Sequence, residues 1–230
     1  MITLHKLTEN AVGFKDDRYP CRFVDAFGSV QKAIIDDTWR AADFTVTATG
    51  TSPITASVLA DAVALITTGA DEYDGDNIQL IGSQFKLEAG KPCYFGAKLT
   101  VSEKTQSDLL VGLCGVDTTL TNASGSHAIS VGASGVFFSK LDAVTAINFK
   151  TVSTATETNS AAVGILDDAA HVYEFFFDGV DLAAFFDGVQ VAGFTSYPAE
   201  VLTPSLCFRS GSAGAKTCTI HWMRAIQARG

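Results

Sequence analysis

The chain has 230 residues, 47% of them hydrophobic and 18% charged, with 20 glycines and 16 phenylalanines. That balance fits one sizeable domain with its own core and excludes a disordered or fibrous polypeptide. A formal net charge of −9 repels phosphate backbones and excludes nucleic acid as a partner, and no apolar run reaches the roughly 20 residues of a membrane helix, which excludes a membrane partner.

Residues 1–42 read as an irregular N-terminal arm. They carry charge clusters such as Lys15-Asp16-Asp17-Arg18, a Tyr19-Pro20 break and little sustained alternation, with one short helix expected near 30–39. Met1 to Asn10 lacks the basic start, apolar stretch and cleavage site of a secretory signal, so synthesis in a cytoplasm is expected.

From Asp43 the hydrophobic period becomes two. The runs DFTVTAT, AVALITT, DNIQLIG, QFKLEAG, YFGAKLTVSE and SDLLVGLCGV each predict a strand bounded by Gly, Pro, Asn, Asp or Ser. Gly132 and Gly135 mark a tight reversal inside residues 126–150, and TAINFKTVS alternates as a strand with one solvated face does. Residues 151–160, TVSTATETNS, read as a strand tail and a loop.

In HVYEFFFDGVDLAAFFDGVQVAGF (171–194), three apolar runs are separated by Asp178-Gly179 and Asp187-Gly188. Asp-Gly supplies the positive φ that a two-residue primed turn requires, so a three-stranded meander is predicted. After Pro198 come a strand, a Gly-Ser turn over 210–215 and a long closing strand.

About a dozen strands without strand–helix alternation predict an all-β fold of two packed antiparallel sheets over residues 43–230. Burial of Phe137, Phe175, Phe177, Phe185 and Trp222 is expected to dominate its stability, at about 2 to 3 kcal/mol each. Cys21, Cys93, Cys114, Cys207 and Cys218 are odd in number and widely spaced, and read as free thiols acting as small core hydrophobes. Asn122-Ala123-Ser124 matches a glycosylation sequon but reads as a plain loop.

No constellation assigns a chemistry. Glycosidases of sandwich folds alternate two glutamates and an aspartate on one strand, whereas Glu72, Glu88, Glu103, Glu157, Glu174 and Glu200 are scattered singly, and Glu174 faces away from Phe175. Asp71, Asp74 and Asp76 offer the hard oxygens that Ca²⁺ takes, but no Glu closes a twelve-residue loop, and a solvated turn is the expected reading. Asp167, Asp168, Asp178, Asp181 and Asp187 read as turn and loop residues.

His5, His127, His171 and His221 share no ligand spacing, and neither a nucleophile elbow nor a phosphate loop occurs. Among the aromatics available for sugar stacking, Trp39, Tyr73, Tyr94, Tyr197 and Trp222, the turn-flanking Tyr73 and Tyr197 suit a surface best, and Trp222 suits the core. The sequence therefore points to no catalytic, cofactor or metal residue, and the chain is expected not to be an enzyme.

Three segments carry a resemblance: residues 76–102, the Phe-Asp-Gly-Val hairpins of 171–193, and 206–226 ending in Ile220-His221-Trp222-Met223. Their order resembles the concanavalin A-like lectin/glucanase jelly roll, in its laminin-G-like and pentraxin-like form. The wording DGDNIQLIGSQFKLEAGKPCYFGAKLTVSEKTQSDLLVGL further resembles capsid decoration, or cement, proteins of tailed bacteriophages.

That resemblance implies a structural protein on the virion surface, a homotrimer seated on the major capsid protein and made in the host cytoplasm. The arm from Ile2 to about Arg40 and the loops at one end of the sandwich would make the contacts. The alternative is a carbohydrate-binding module of a phage tail or fibre, with a glycan as ligand.

Overall fold

A computed structural model describes residues 29–35, 44–51, 57–59, 62–81, 85–121, 134–153 and 156–229. Fifteen strands lie within them. In chain order they begin with β1 (Ser29–Ile35), β2 (Phe44–Thr49), β3 (Ser57–Leu59), β4 (Ala62–Thr67) and β5 (Gly75–Leu80). Next come β6 (Cys93–Val101), β7 (Ser107–Cys114), β8 (Gly135–Lys140), β9 (Ala146–Ser153) and β10 (Thr156–Ile165). The last are β11 (His171–Phe177), β12 (Leu182–Phe186), β13 (Val189–Phe194), β14 (Thr203–Ser210) and β15 (Thr217–Arg229).

They form the two antiparallel sheets that the alternation predicts. The eight-stranded sheet runs β13-β12-β11-β6-β15-β4-β3, with β1 added on β15, and the seven-stranded sheet runs β10-β9-β8-β7-β14-β5-β2. Alternate residues face inward: Phe95, Ala97 and Leu99 of β6 and Tyr173, Phe175 and Phe177 of β11 pack toward Val111, Phe138, Phe149, Leu206 and Phe208 of the other sheet. Phe175 stacks on Phe95 at 5.2 Å within its own sheet and meets Phe149 of the opposite sheet at 5.8 Å, so these rings tie the two layers together.

The meander at 171–194 is present, with two different turns. Phe186 pairs with Val189, leaving Asp187 (φ 50°) and Gly188 (φ 77°) as a two-residue primed turn. The first connection is longer, because Phe177 pairs with Leu182 and four residues close it. There Asp178 Oδ1 accepts from the backbone N–H of Val180 and Asp181, each at 2.8 Å.

Several local expectations are corrected. In place of the helix near 30–39, residues 29–35 form β1, paired from Ser29↔Arg229 to Ile35↔Met223; residues 36–39 lie outside the described set. β4 pairs with β15 only as far as Ile220, so the second half of β15 has an open ladder, and the β-branched Val30, Ile34 and Ile35 suit it.

QFKLEAG supplies only the isolated bridges Phe85↔Leu202 and Glu88↔Lys91. The polar residues after Ser153 continue as β10, an edge strand whose exposure explains its polarity. The reversal expected at Gly132 lies outside the described residues, and Gly135 opens β8.

Trp222 is half-buried on the outer face of the eight-stranded sheet, against the expectation of a core site. A register shift between Ile220 and Trp222 turns the strand by one residue, so that Ile220 and Met223 point inward and Trp222 outward, under the Arg224 guanidinium at 4.7 Å. Phe137 and Phe185 are buried, but in small clusters on the outer faces.

Candidate functional site

The outer face of the seven-stranded sheet carries an open cavity of about 190 Å³ near its β2 edge. Alternation builds its floor. Val46 and Ile78 turn into the core, so Thr45 and Thr47 of β2 and Asn77 and Gln79 of β5 share the opposite side, paired Thr45↔Gln79 and Thr47↔Asn77.

The wall is the segment after β7, which crosses β14 to reach β5. Gln79 donates through Nε2 to the Gly115 carbonyl (3.0 Å) and to Ser205 Oγ (2.9 Å), and its Oε1 accepts from the Asp117 N–H at 2.9 Å. Asn77 Nδ2 donates to the Asp117 carbonyl at 2.8 Å, and Asp117 Oδ1 in turn accepts from the Thr119 N–H.

Two amides therefore fasten the wall. Both amide hydrogens and the oxygen of Gln79 are engaged in these bonds, whereas Asn77 Oδ1, in a residue only 3% exposed, is buried with no hydrogen-bond partner among the described residues. At the mouth stand two apolar side chains open to solvent, Ile81 (56% exposed) and Val116 (85%).

A second polar group lies on the same face. Arg209 of β14 is fully buried; its Nε donates to the Tyr73 carbonyl (2.9 Å) and its Nη1 to Thr121 Oγ1 (3.0 Å), drawing two loops onto the sheet. Asp108 of β7 is its cross-strand neighbour and accepts the Asp142 N–H at 2.7 Å. Burial pushes the Asp108 carboxyl up to about 6, although the Asp142 N–H and the charges of Arg209 and Lys140 pull the other way. Burial also brings the Lys140 ammonium down to about 8; it donates to the carbonyls of Thr105 and Ser107.

The residues singled out in the sequence are mostly spent on packing. Asp74 accepts from Thr51 N, Thr51 Oγ1 and Asp71 N; burial raises its pKa, but these bonds leave it below the usual carboxylate range. Asp71 is exposed, and Asp76 opens the core-facing row of β5 opposite Phe208. Among the described residues no group of three or more His, Cys, Asp or Glu side chains is arranged to hold a metal ion.

Glu88 pairs with Lys91 at 2.9 Å on the surface. Glu174 is buried on the outer face of the other sheet, where Tyr94 Oη donates to it at 2.6 Å and burial raises its pKa. His171 sits between Asp187 (2.8 Å) and Asp167 (2.9 Å), and His221 meets Thr100. Tyr73 lies 5.5 Å from the Arg209 guanidinium and Tyr197 packs 4.5 Å from Phe177, both half-buried. His5, His127 and Trp39 lie outside the described residues.

Sequence reading did not select Asn77 and Gln79. Their signal was present in DNIQL, where two amides take the same side of a strand whose other side is apolar.

No family model and no curated protein matches the chain. Solved structures do. A glycosidic hydrolase matches with TM-score 0.60 at 11% identity, over 86% of this chain and 95% of that one. The carbohydrate recognition domain of Emp47p matches with TM-score 0.57 at 11% identity, over 84% and 93%. A Bacillus licheniformis beta-glucanase matches with TM-score 0.57 at 8% identity, over 84% and 97%.

These neighbours correct the expectation that the chain is not an enzyme, since hydrolases are built on the same architecture at nearly full length. That expectation rested on one carboxylate spacing along a single strand, whereas a sheet brings side chains together across strands, as it does Asp108 and Arg209. The capsid-decoration role gains no support from them. The chain has the concanavalin A-like jelly-roll sandwich fold, shared by glucanases and lectin domains.

Proposed function

We propose that this chain binds carbohydrate, with its contact surface in the cavity over β2 and β5. The observation that carries the reading is the lining of the cavity, in which threonine and amide side chains form the floor and aliphatic side chains the mouth. Threonine hydroxyls and amides on the floor with aliphatic groups at the mouth match a sugar ring, which carries hydroxyls on its edge and C–H groups on its faces.

A glycan array with the full chain tests this reading, run beside a reducing-end assay on the glycans that bind. Specific binding weakened by Asn77→Ala supports it. An array without any bound glycan overturns it, and release of reducing ends would add hydrolysis to binding.

A further inference from the structure

We infer that His171 is a proton-operated clasp, which fastens the β10–β11 connection to the β12–β13 turn while its ring is charged and lets the connection go when the ring becomes neutral. The inference is independent of the carbohydrate reading. Hydrogen-bond accounting at one buried ring carries it.

His171 opens β11 and is buried. Its Nδ1 lies 2.8 Å from Asp187 Oδ2 in the turn, and its Nε2 lies 2.9 Å from Asp167 Oδ1 in the connection. An aspartate at neutral pH is a carboxylate and accepts only, whereas a neutral imidazole has one N–H and one bare nitrogen. Both contacts are therefore hydrogen bonds when the ring carries two N–H groups, as the imidazolium does. With one proton gone, a nitrogen lone pair faces a carboxylate oxygen, and that contact turns repulsive.

The surroundings suit a charged ring. Asp167 and Asp187 are the charged groups that face it, and Asp168 in the same connection is exposed. Phe186 of β12 stacks on the ring at 4.9 Å, and an aromatic face attracts a cation. On β6 the cross-strand neighbour is the apolar Leu99. The Ala169 N–H holds the Asp167 carboxyl below the usual range, helped by His171 and by Lys104 from the β6–β7 connection. Burial pushes the Tyr173 phenol up, and Cys218 and both carboxylates push it further, so Tyr173 stays neutral throughout.

The two contacts are not equally secured. Asp187 also accepts the Val172 N–H at 2.7 Å and donates its own N–H to the Val172 carbonyl at 2.9 Å. Among the described residues Asp167 has, besides His171, the Ala169 N–H at 2.6 Å within its own loop, and residues 167–170 are exposed. The one N–H of a neutral ring therefore stays with Asp187, and the Asp167 side opens. That side is the passage from edge strand β10 of one sheet to β11 of the other, at the edge far from β2 and the cavity. The two-bond clasp holds on the acid side and is lost as pH rises through the titration of the ring.

Long-range proton–nitrogen NMR of the full chain reads the protons on the ring. Exchange of the Ala169 amide, corrected for the intrinsic effect of pH, reads the connection. From about pH 5 to about pH 8, the span in which histidine changes charge, the ring is expected to lose its Nε2 proton. Protection at Ala169 is expected to fall about fivefold with the same midpoint, the equivalent of one hydrogen bond, and protection at Val172 to hold.

Asp167→Asn is the decisive variant, at an exposed position. The amide oxygen still accepts from Ala169, and the amide nitrogen donates to a bare Nε2, so the fall at Ala169 is expected to disappear although the ring still titrates. Four results overturn the inference: a ring already neutral at the acid end, a ring still doubly protonated at the basic end, an Ala169 amide that ignores the titration, or the same fall in Asp167→Asn.

Discussion

Asp108 and Arg209 stand directly opposite each other in the β7–β14 ladder, each about 1% exposed, on the face of the sheet that carries the cavity. The guanidinium is tied to Tyr73 and Thr121, and the carboxylate receives the Asp142 N–H. Attraction between the two does not repay the loss of water around the carboxylate, which is why Asp108 holds its proton up to about pH 6.

A pH dependence follows from that proton. A carboxyl raised from 3.8 to about 6 in the folded state binds the proton more tightly than the unfolded chain does, so its contribution to stability declines as pH rises from about 4 to 6. The offset corresponds to about 3 kcal/mol across that window. Glu174, also raised, adds a decline of the same sign, and Asp74 and Glu103, both lowered, oppose it. Comparing urea midpoints of the wild type and Asp108→Asn from pH 4 to 7 isolates the Asp108 share; Asn keeps an acceptor for the Asp142 N–H. The variant is expected to lose less stability over this range, and parallel curves would show that Asp108 is not the group responsible.

Tyr94 and Glu174 make the corresponding pair on the other sheet. Tyr94→Phe removes the donor from a carboxyl that is 4% exposed, at a cost of about 1 to 3 kcal/mol. The same hydrogen bond lowers the Glu174 pKa against burial, so the variant is expected to hold the Glu174 proton to a higher pH. Carbon-13 NMR titration of the glutamate carboxyls reads this directly, and an unmoved Glu174 resonance would count against the assignment.

The layered fold was legible because alternation and Asp-Gly turns are local signals, and β11 to β13 follow from them almost residue by residue. Trp222 was not, because the bulge that turns it outward depends on how β15 fits against β6 and leaves no mark in the order Ile220-His221-Trp222. The cavity was hidden for a related reason. Asn77 and Asp117 are 40 positions apart and meet only once residues 115–118 cross the sheet.

The cysteines provide a further check. Cys93, Cys114, Cys207 and Cys218 are all buried free thiols, and burial pushes each of them up, Cys207 to about 11 and Cys218 to about 12. The thiolate is the reactive form, so none of the four is expected to react with iodoacetamide in the native protein at pH 8. Peptide mass spectrometry before and after denaturation measures this. Native labelling at any of these four positions would show that its strand opens or is placed wrongly.

Close strand packing makes the sharpest test of the sheet on which the cavity sits. Gly112 lies in β7 between β14 and β8, and a Cβ there would come within 2.2 Å of the Val136 carbonyl oxygen and 2.5 Å of Phe137 Cα. Both are backbone atoms of the neighbouring strand, so no rotamer change relieves the contact, and β7 must part from β8. Gly112→Ala is expected to destabilise the protein by about 1 to 3 kcal/mol. Three residues on, at the strand's end, the nearest atom to a Cβ on Gly115 among the described residues is 3.6 Å away, and Gly115→Ala is expected to change stability by less than about 0.5 kcal/mol. Thermal unfolding of the two variants side by side measures the contrast, and equal melting temperatures would mean that β7 and β8 are not paired in the register Gly112↔Phe137.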